Sequence, residues 1–378
     1  MFLPQKHFKG LIMPKTIGLY IHIPFCKSKC PYCDFYSSRA TELDFDKYTE
    51  VLIDKIKLWS SKTKCDVATV YFGGGTPSVL GAERLCKILS SIKNSFNIIY
   101  NAEITVEVNP DTGKTIDFDA LYNVGFNRLS IGLQSAVGEE LKALGRIHTS
   151  EEAKITVERA KTAGFENISL DLMMGIPHQT KESLKKSIEF CVECGVKHIS
   201  SYILKIETGT KYDKIKDKLI LPDDDTQAEL YLYAVDLFSQ YGFNQYEISN
   251  FAKSDFESKH NINYWNCGEY IGIGPSAHSF FEGKRFYYER NMDDFINNKS
   301  VFDCYGGNEE EFIMLSLRLK NGLSFAEFKN KFGKDISQKL IDKAKMYAKS
   351  GFMSVDSEKI CFTPKGFLVS NTIISDLI

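Results

Sequence analysis

Cys26, Cys30 and Cys33 lie in the run Cys26-Lys-Ser-Lys-Cys30-Pro-Tyr-Cys33, a C-x3-C-x2-C spacing that puts three thiols on one short loop. Thiolates so spaced can hold three irons of a [4Fe–4S] cluster and leave the fourth iron open. An electron-transfer cluster would ask for a fourth cysteine, and a structural zinc site for a fourth Cys or His. His22 is close in sequence, so zinc stays open as the blander alternative. An open iron suits a bidentate amino-acid ligand, and the amino and carboxylate groups of S-adenosylmethionine are such a pair. A second run, His260-Asn261-Ile-Asn-Tyr264-Trp265, sets an imidazole beside two large aromatics, with Cys267 and His278 nearby. Haem asks for an axial His, Cys, Met or Tyr and a flat apolar surface. From composition alone, the plainer reading is that this run packs on the rest of the fold with His260 hydrogen-bonded.

These residues need elements to position them. Short β-branched runs at 17–23, 67–72, 103–108, 128–132, 168–173 and 198–204 alternate with amphipathic stretches such as 45–60, 82–92, 150–163 and 180–194. Strand-then-helix units in series predict a parallel sheet curled into a partial (β/α)6 TIM-like barrel. Several strands run into polar or glycine-rich sequence: Cys26 onward, Gly73-Gly74-Gly75, Asn109-Pro110, Gln134 and Gly175-Ile-Pro177. In such barrels the C-terminal strand ends build the site. The expected division is a lead at 1–15, a core domain at 16–251, a connecting segment at 252–300 and a C-terminal domain at 301–378. The connecting segment, rich in Gly, Asn and aromatics, is expected to cover or extend the barrel. The C-terminal part reads as helices at 309–319, 324–332 and 336–349, a hairpin at 351–355 and 359–362, and a last helix from Pro364. That is a mainly α, winged-helix-like order. It lacks a concentrated Arg/Lys recognition helix, so packing or partner docking is preferred to DNA binding.

Composition narrows the class. The 378 residues carry a net charge of −2, 43% apolar and 25% charged residues, which fits a globular chain with no global pull on nucleic acid. No apolar run approaches a spanning length, and the stretch Met1 to Pro14 has no signal-peptide core. Ten cysteines without an export signal predict a cytoplasmic protein with reduced thiols. Cys191 and Cys194 read as a helix end rather than a redox pair, and Cys65, Cys86, Cys304 and Cys361 as small buried hydrophobes. Whether Met1 or Met13 is the start is left open.

The loop C-x3-C-x-aromatic-C, here Cys26, Cys30, Tyr32 and Cys33, resembles that of the radical SAM proteins. Further runs resemble one subgroup, the oxygen-independent coproporphyrinogen III oxidase-like proteins. They are Tyr20-Ile-His22-Ile-Pro24-Phe25-Cys26, Gly73-Gly74-Gly75-Thr76-Pro77-Ser78, Glu107-Val-Asn109-Pro110 and Gly132-Leu-Gln134-Ser135, then Leu144-Gly-Arg146-Ile-His148, Asp171-Leu-Met-Met-Gly175-Ile-Pro177 and the His260 run. The resemblance implies that the three cysteines hold a [4Fe–4S] cluster beside S-adenosylmethionine, whose reductive cleavage gives a 5′-deoxyadenosyl radical. Residue by residue, it implies that Gly74, Gly75 and Thr76 meet the ligand's ammonium, and that Arg146 clamps its carboxylate. Glu107 would take the ammonium or a ribose hydroxyl, Gln134 and Asp171 the ribose, and the Tyr20 backbone the adenine edge. His260, Tyr264 and Trp265 are put forward for haem.

Two activities divide the subgroup. One branch binds haem and passes it to acceptor proteins; the other decarboxylates the propionates of coproporphyrinogen III. The oxidases resemble C-x3-C-x2-C-x-C, with another cysteine two residues after the third, where this chain has Phe35. That departure favours a haem chaperone with haem b as cargo, and leaves radical chemistry open. The partners implied are haem-accepting proteins, some at a membrane surface, and an electron donor; no nucleic acid is expected, and a homodimer is left open.

Overall fold

The computed structural model describes residues 15–378, so most of the expected lead at 1–15 lies outside the described residues. Six strands, β1 (Thr16–Ile23), β2 (Asp66–Gly74), β3 (Ile98–Val108), β4 (Arg128–Gln134), β5 (Asn167–Met174) and β6 (His198–Ile203), pair in parallel in chain order. Helices cross between them: α1 (Glu42–Lys62), α2 (Gly81–Ser95), α3 (Phe118–Val124), α4 (Ser150–Thr162) and α5 (Lys181–Glu193). β1 does not pair with β6, so the barrel is open, as the six-unit pattern predicts.

Alternation sorts each strand's side chains into two environments. The outward set includes Leu19, Ile21, Phe72, Val106, Ile131, Leu170 and Ile199, which pack with Leu52, Leu89, Val157 and Ile188 of the helices in one buried cluster. Burying each such side chain is worth about 1.5–3 kcal/mol. The inward set is polar: Tyr20 and His22, Thr69 and Tyr71, Glu103 and Glu107, Arg128 and Gln134, Ser169 and Asp171, His198 and Tyr202. Parallel strands covered on both faces are ordinarily apolar throughout. A polar interior in this class of sheet marks where ligands are held.

The sheet runs on beyond the six units. After α6 (Asp224–Gln240), β7 (Asn244–Glu247) and β8 (Asn250–Ala252) extend it antiparallel from β6. Residues 252–300 are more than a connection. They carry α7 (Lys259–Trp265), then β9 (Tyr270–Ile273), which lies parallel to β1, and β10 (His278–Phe281) and β11 (Lys284–Tyr288), and β12 (Ser300–Tyr305) follows across the expected boundary at 300. The resulting sheet has 12 strands. The sequence shows no helical period at 254–290 because α7 is only 7 residues long, too short to display one.

The C-terminal part contains α8 (Glu309–Ser316), β13 (Leu323–Ser324), α9 (Phe325–Phe332), α10 (Gln338–Lys349), β14 (Met353–Val355) and β15 (Lys359–Phe362). β13 joins the hairpin to form a 3-stranded wing. Backbone bonds from Ile248 N to Arg318 O (3.0 Å) and Lys320 N to Tyr246 O (2.9 Å) seat this part on the β7–β8 turn. Of the four cysteines expected to be buried, Cys65, Cys86 and Cys361 are half-buried and Cys304 is exposed on β12, the outermost strand of the sheet. Cys191 and Cys194 are buried at the end of α5, as a helix end requires.

Candidate functional site

The three cysteines follow β1 on a loop tied to β2 by backbone. Gly75 N donates to Ile23 O (2.8 Å) and Thr76 N to Phe25 O (2.7 Å), while Cys26 N donates to Ser38 O (3.1 Å) and so closes the loop. The glycines are required here by the chain itself. A Cβ on Gly75 would lie 2.6 Å from the Phe25 carbonyl, and one on Gly74, whose φ is +108°, 2.5 Å from the His22 ring. The resemblance sets Gly74 and Gly75 against a ligand's ammonium. Their first use in the structure is to let two strand ends touch.

All three thiols are free and half-buried. Cations and hydroxyls already point at them. Arg146 Nη1 donates to Cys30 Sγ at 3.6 Å. Thr76 Oγ1 lies 3.3 Å from Cys26 Sγ and accepts from Asn109 Nδ2 (3.2 Å), which leaves the hydroxyl proton for the sulfur. Burial holds the Cys33 thiol above its ordinary pKa, and the neighbouring Cys30 and Cys26 sulfurs push the same way. No three Cys, His, Asp or Glu side chains among the described residues converge on one ion-sized point. A [4Fe–4S] cluster does not ask that of them, since each thiolate binds a different iron.

Arg146 is fixed by Nη2 bonds to Asn109 Oδ1 (2.8 Å) and Gly132 O (2.9 Å), so its guanidinium is aimed before any ligand arrives. Cys30, Thr76, Asn109 and Arg146 share one small cleft. Glu107 sits deeper in the barrel, where Tyr71 donates to its Oε1 at 2.8 Å. Burial, with Asp171 near, raises its pKa to about 7. Asp171 accepts from Ser130 Oγ at 3.0 Å, and burial raises it to about 6. Gln134 takes φ +70° at the end of β4, an uncommon conformation for a non-glycine residue, and accepts from the Tyr202 hydroxyl at 3.1 Å. Such strain gathers at functional sites. Tyr20 donates to His22 Nδ1 (3.0 Å), because His22 Nε2 donates to Tyr36 O (3.1 Å).

Cys26, Cys30, Cys33, Thr76 and Arg146 are therefore brought together at the strand ends, with Glu107, Gln134 and Asp171 below them in the interior. Asn109, Tyr71 and Tyr202 were missed as site residues. Asn109 stands in a strand-end motif, and Tyr71 and Tyr202 keep the inward parity of their strands, which is the signal that could have found them.

The aromatic run lies elsewhere. His260 is 1% exposed, inside the barrel wall. Its Nδ1 meets Thr69 Oγ1 and its Nε2 meets the Tyr264 hydroxyl, each at 2.7 Å, while its ring stacks on Tyr71 with centroids 5.1 Å apart. Burial lowers its pKa to about 3. Glu103 accepts from the backbone N–H groups of Lys259 and His260, each at 3.0 Å, and so pins the N-terminus of α7. Trp265 is half-buried at the far end, its indole N–H near the Glu247 carboxyl. Both ring nitrogens of His260, put forward from the sequence for haem, are thus engaged within the fold: Nδ1 ties α7 to β2 through Thr69, and Nε2 is bonded to Tyr264 within α7 itself.

Residues 20–191 match the Radical SAM superfamily, and residues 310–369 match the HemN C-terminal domain. The chain is 35% identical to the heme chaperone HemW of Lactococcus lactis over 96% of this chain and 97% of that protein. It is 34% identical to the heme chaperone HemW of Bacillus subtilis, over 94% and 97% of the two chains. The solved coproporphyrinogen III oxidase (HemN) of Escherichia coli shares the fold, with a TM-score of 0.81 at 21% identity over 96% of this chain and 90% of that one. An open six-unit barrel with three cysteines beyond its first strand is the scaffold of a radical SAM protein. The chain belongs to that superfamily and, within it, to the HemW family. Membership implies a [4Fe–4S] cluster and S-adenosylmethionine, and the free thiols with donors already aimed at them fit both. No helix among the described residues is long and apolar enough to cross a membrane.

Proposed function

We propose that this protein is a haem chaperone, which binds haem and hands it to acceptor proteins in the cytoplasm or at a membrane surface. In this reading Cys26, Cys30 and Cys33 ligate the cluster. Arg146 holds the carboxylate of S-adenosylmethionine, Glu107 its ammonium or a ribose hydroxyl, and Gln134 and Asp171 the ribose. Thr76 and the Gly74-Gly75 backbone flank the ammonium, and the Tyr20 backbone the adenine. The bound pair supplies one-electron chemistry when a reductant is present. The chain's own part is to lower the cost of thiolate charge through Arg146 and Thr76, and to keep the interior polar and fixed. The observation that carries the chaperone reading, beside the family, is Phe35. It is 67% exposed two residues beyond Cys33 and offers neither acid, base nor ligand where the oxidase pattern has a thiol.

The test uses one anaerobically reconstituted sample. It should bind haem and release no carbon dioxide from coproporphyrinogen III when S-adenosylmethionine and reductant are supplied. Multiple-turnover formation of protoporphyrinogen IX would replace the chaperone reading with the oxidase one.

A further inference from the structure

A haem site needs an axial donor with a free lone pair, flat apolar walls, and a cation at the rim for the propionates. Among the described histidines, His22, His198 and His260 have both ring nitrogens engaged within the fold, and His178, though exposed, does not line the cleft described below. His148 is buried and bonded to Leu133 O. Cys267 is buried, and burial raises its thiol above the ordinary range.

His278 differs on each count. It opens β10 with its side chain exposed, and neither ring nitrogen has a hydrogen-bond partner among the described residues. Its ring is held flat on Tyr287, with centroids 5.0 Å apart and planes 24° from parallel, so its direction is set while its nitrogens are not. Burial, aided by the Arg285 and Arg290 guanidiniums against Asp303, holds its pKa below the ordinary value. That favours the neutral imidazole, the form that can bind a metal.

His278 lines a cleft of about 440 Å³ together with Phe35, Tyr264, Tyr270 and Arg290. That volume is within the usual range for small-molecule sites. Phe35 and the tyrosines supply flat apolar wall. Arg290 is 57% exposed at the mouth and makes a two-point pair with Asp34 of the cluster loop, at 3.1 and 2.8 Å. A carboxylate of an incoming ligand can take that place. Arg285 also lines the cleft, but it is already paired with Glu311.

We propose that haem binds in this cleft, with His278 as its axial ligand, Phe35 against the ring and Arg290 on a propionate. This rests on the reading of the protein as a haem chaperone and names the site of that function. It also gives Phe35 a positive role: the residue that departs from the oxidase pattern is a wall of the cargo site, two positions from a cluster ligand.

The test is a titration of ferric haem into the full-length, cluster-reconstituted protein, followed by the Soret band and by electron paramagnetic resonance. His278→Ala should weaken binding at least about tenfold and move the Soret band, since a direct iron bond is lost. Added imidazole should restore the wild-type spectrum, which a merely structural role would not allow. Phe35→Asp should weaken binding while leaving the Soret position unchanged, separating wall from ligand. An unaltered spectrum and affinity in His278→Ala would overturn the site while haem binding by the wild type stands. Failure of the wild type to bind haem would overturn the chaperone reading and this inference with it.

Discussion

Glu107 and Asp171 are acids inside the barrel, with the Arg128 guanidinium nearby. Burial raises Glu107 to about 7 and Asp171 to about 6, so near neutrality the interior keeps part of its proton load. S-adenosylmethionine brings an ammonium and a sulfonium, and a positive charge beside a carboxyl favours its ionised form. Binding should then release protons below pH 7, and affinity should rise with pH by up to about tenfold per unit for each proton released. Calorimetry in buffers of different ionisation enthalpy reads the release directly. Glu107→Gln should flatten the profile, and a wild-type affinity independent of pH between 6 and 7 would remove Glu107 from the ligand's surroundings.

At the scale of elements, the decisive piece is α7. Its 7 residues cannot be stable alone, and its position is fixed from outside. Glu103 receives two backbone N–H groups of its first turn and also lies 4.0 Å from the buried Arg128. Glu103→Ala would free those donors and leave Arg128 without its nearest anion. Removing one partner of a buried pair costs on the order of 3–5 kcal/mol. Equilibrium denaturation should show that loss, with the cluster loop still able to take up iron and sulfide, because it lies at the other end of the strands. A loss under about 1 kcal/mol would mean that apolar contacts alone hold α7.

For the whole molecule, buried titratable groups set a pH window of stability. Glu107 and Glu247 are held at about 7 against an ordinary 4.5, and Asp171 at about 6 against 3.8, with burial the main cause. Their neutral forms stabilise the fold fully below the unfolded values, and that contribution is lost as pH rises through 6 to 7. The histidines work in the opposite sense. Burial lowers His22 and His148 to about 4 and His260 to about 3, against an ordinary 6.5. Their contribution is full above 6.5 and is lost as pH falls toward those values. The two slopes oppose one another between about 4.5 and 6.5; above that only the acids act. The melting temperature of the protein free of S-adenosylmethionine should peak near pH 6.5 and fall beyond it through pH 7, less steeply in Glu247→Gln. A melting temperature still rising between pH 6.5 and 8 would contradict the assignment.

The sequence by itself determined the parallel barrel and the cysteine loop. Both are written in local signals: a strand and helix period repeated along the chain, and three thiols within 8 residues. Each barrel strand came out within a few residues of its predicted place, except that β3 begins at Ile98, where exposed Tyr100 and Asn101 mask the strand period. What only the tertiary structure decided is where distant segments meet. That 252–300 would add strands beyond β1 follows from β9 lying beside β1, a pairing between residues about 250 apart in the chain that no period announces. The same holds for the two histidines. His260 stands in the more conspicuous motif, yet Thr69 from another strand consumes its nitrogen. His278 stands in a plain stretch and has no hydrogen-bond partner among the described residues, beside a cleft that Phe35 walls from the far end of the chain. Residue type fixes what a side chain can do; contacts across the fold decide whether it is still available to do it.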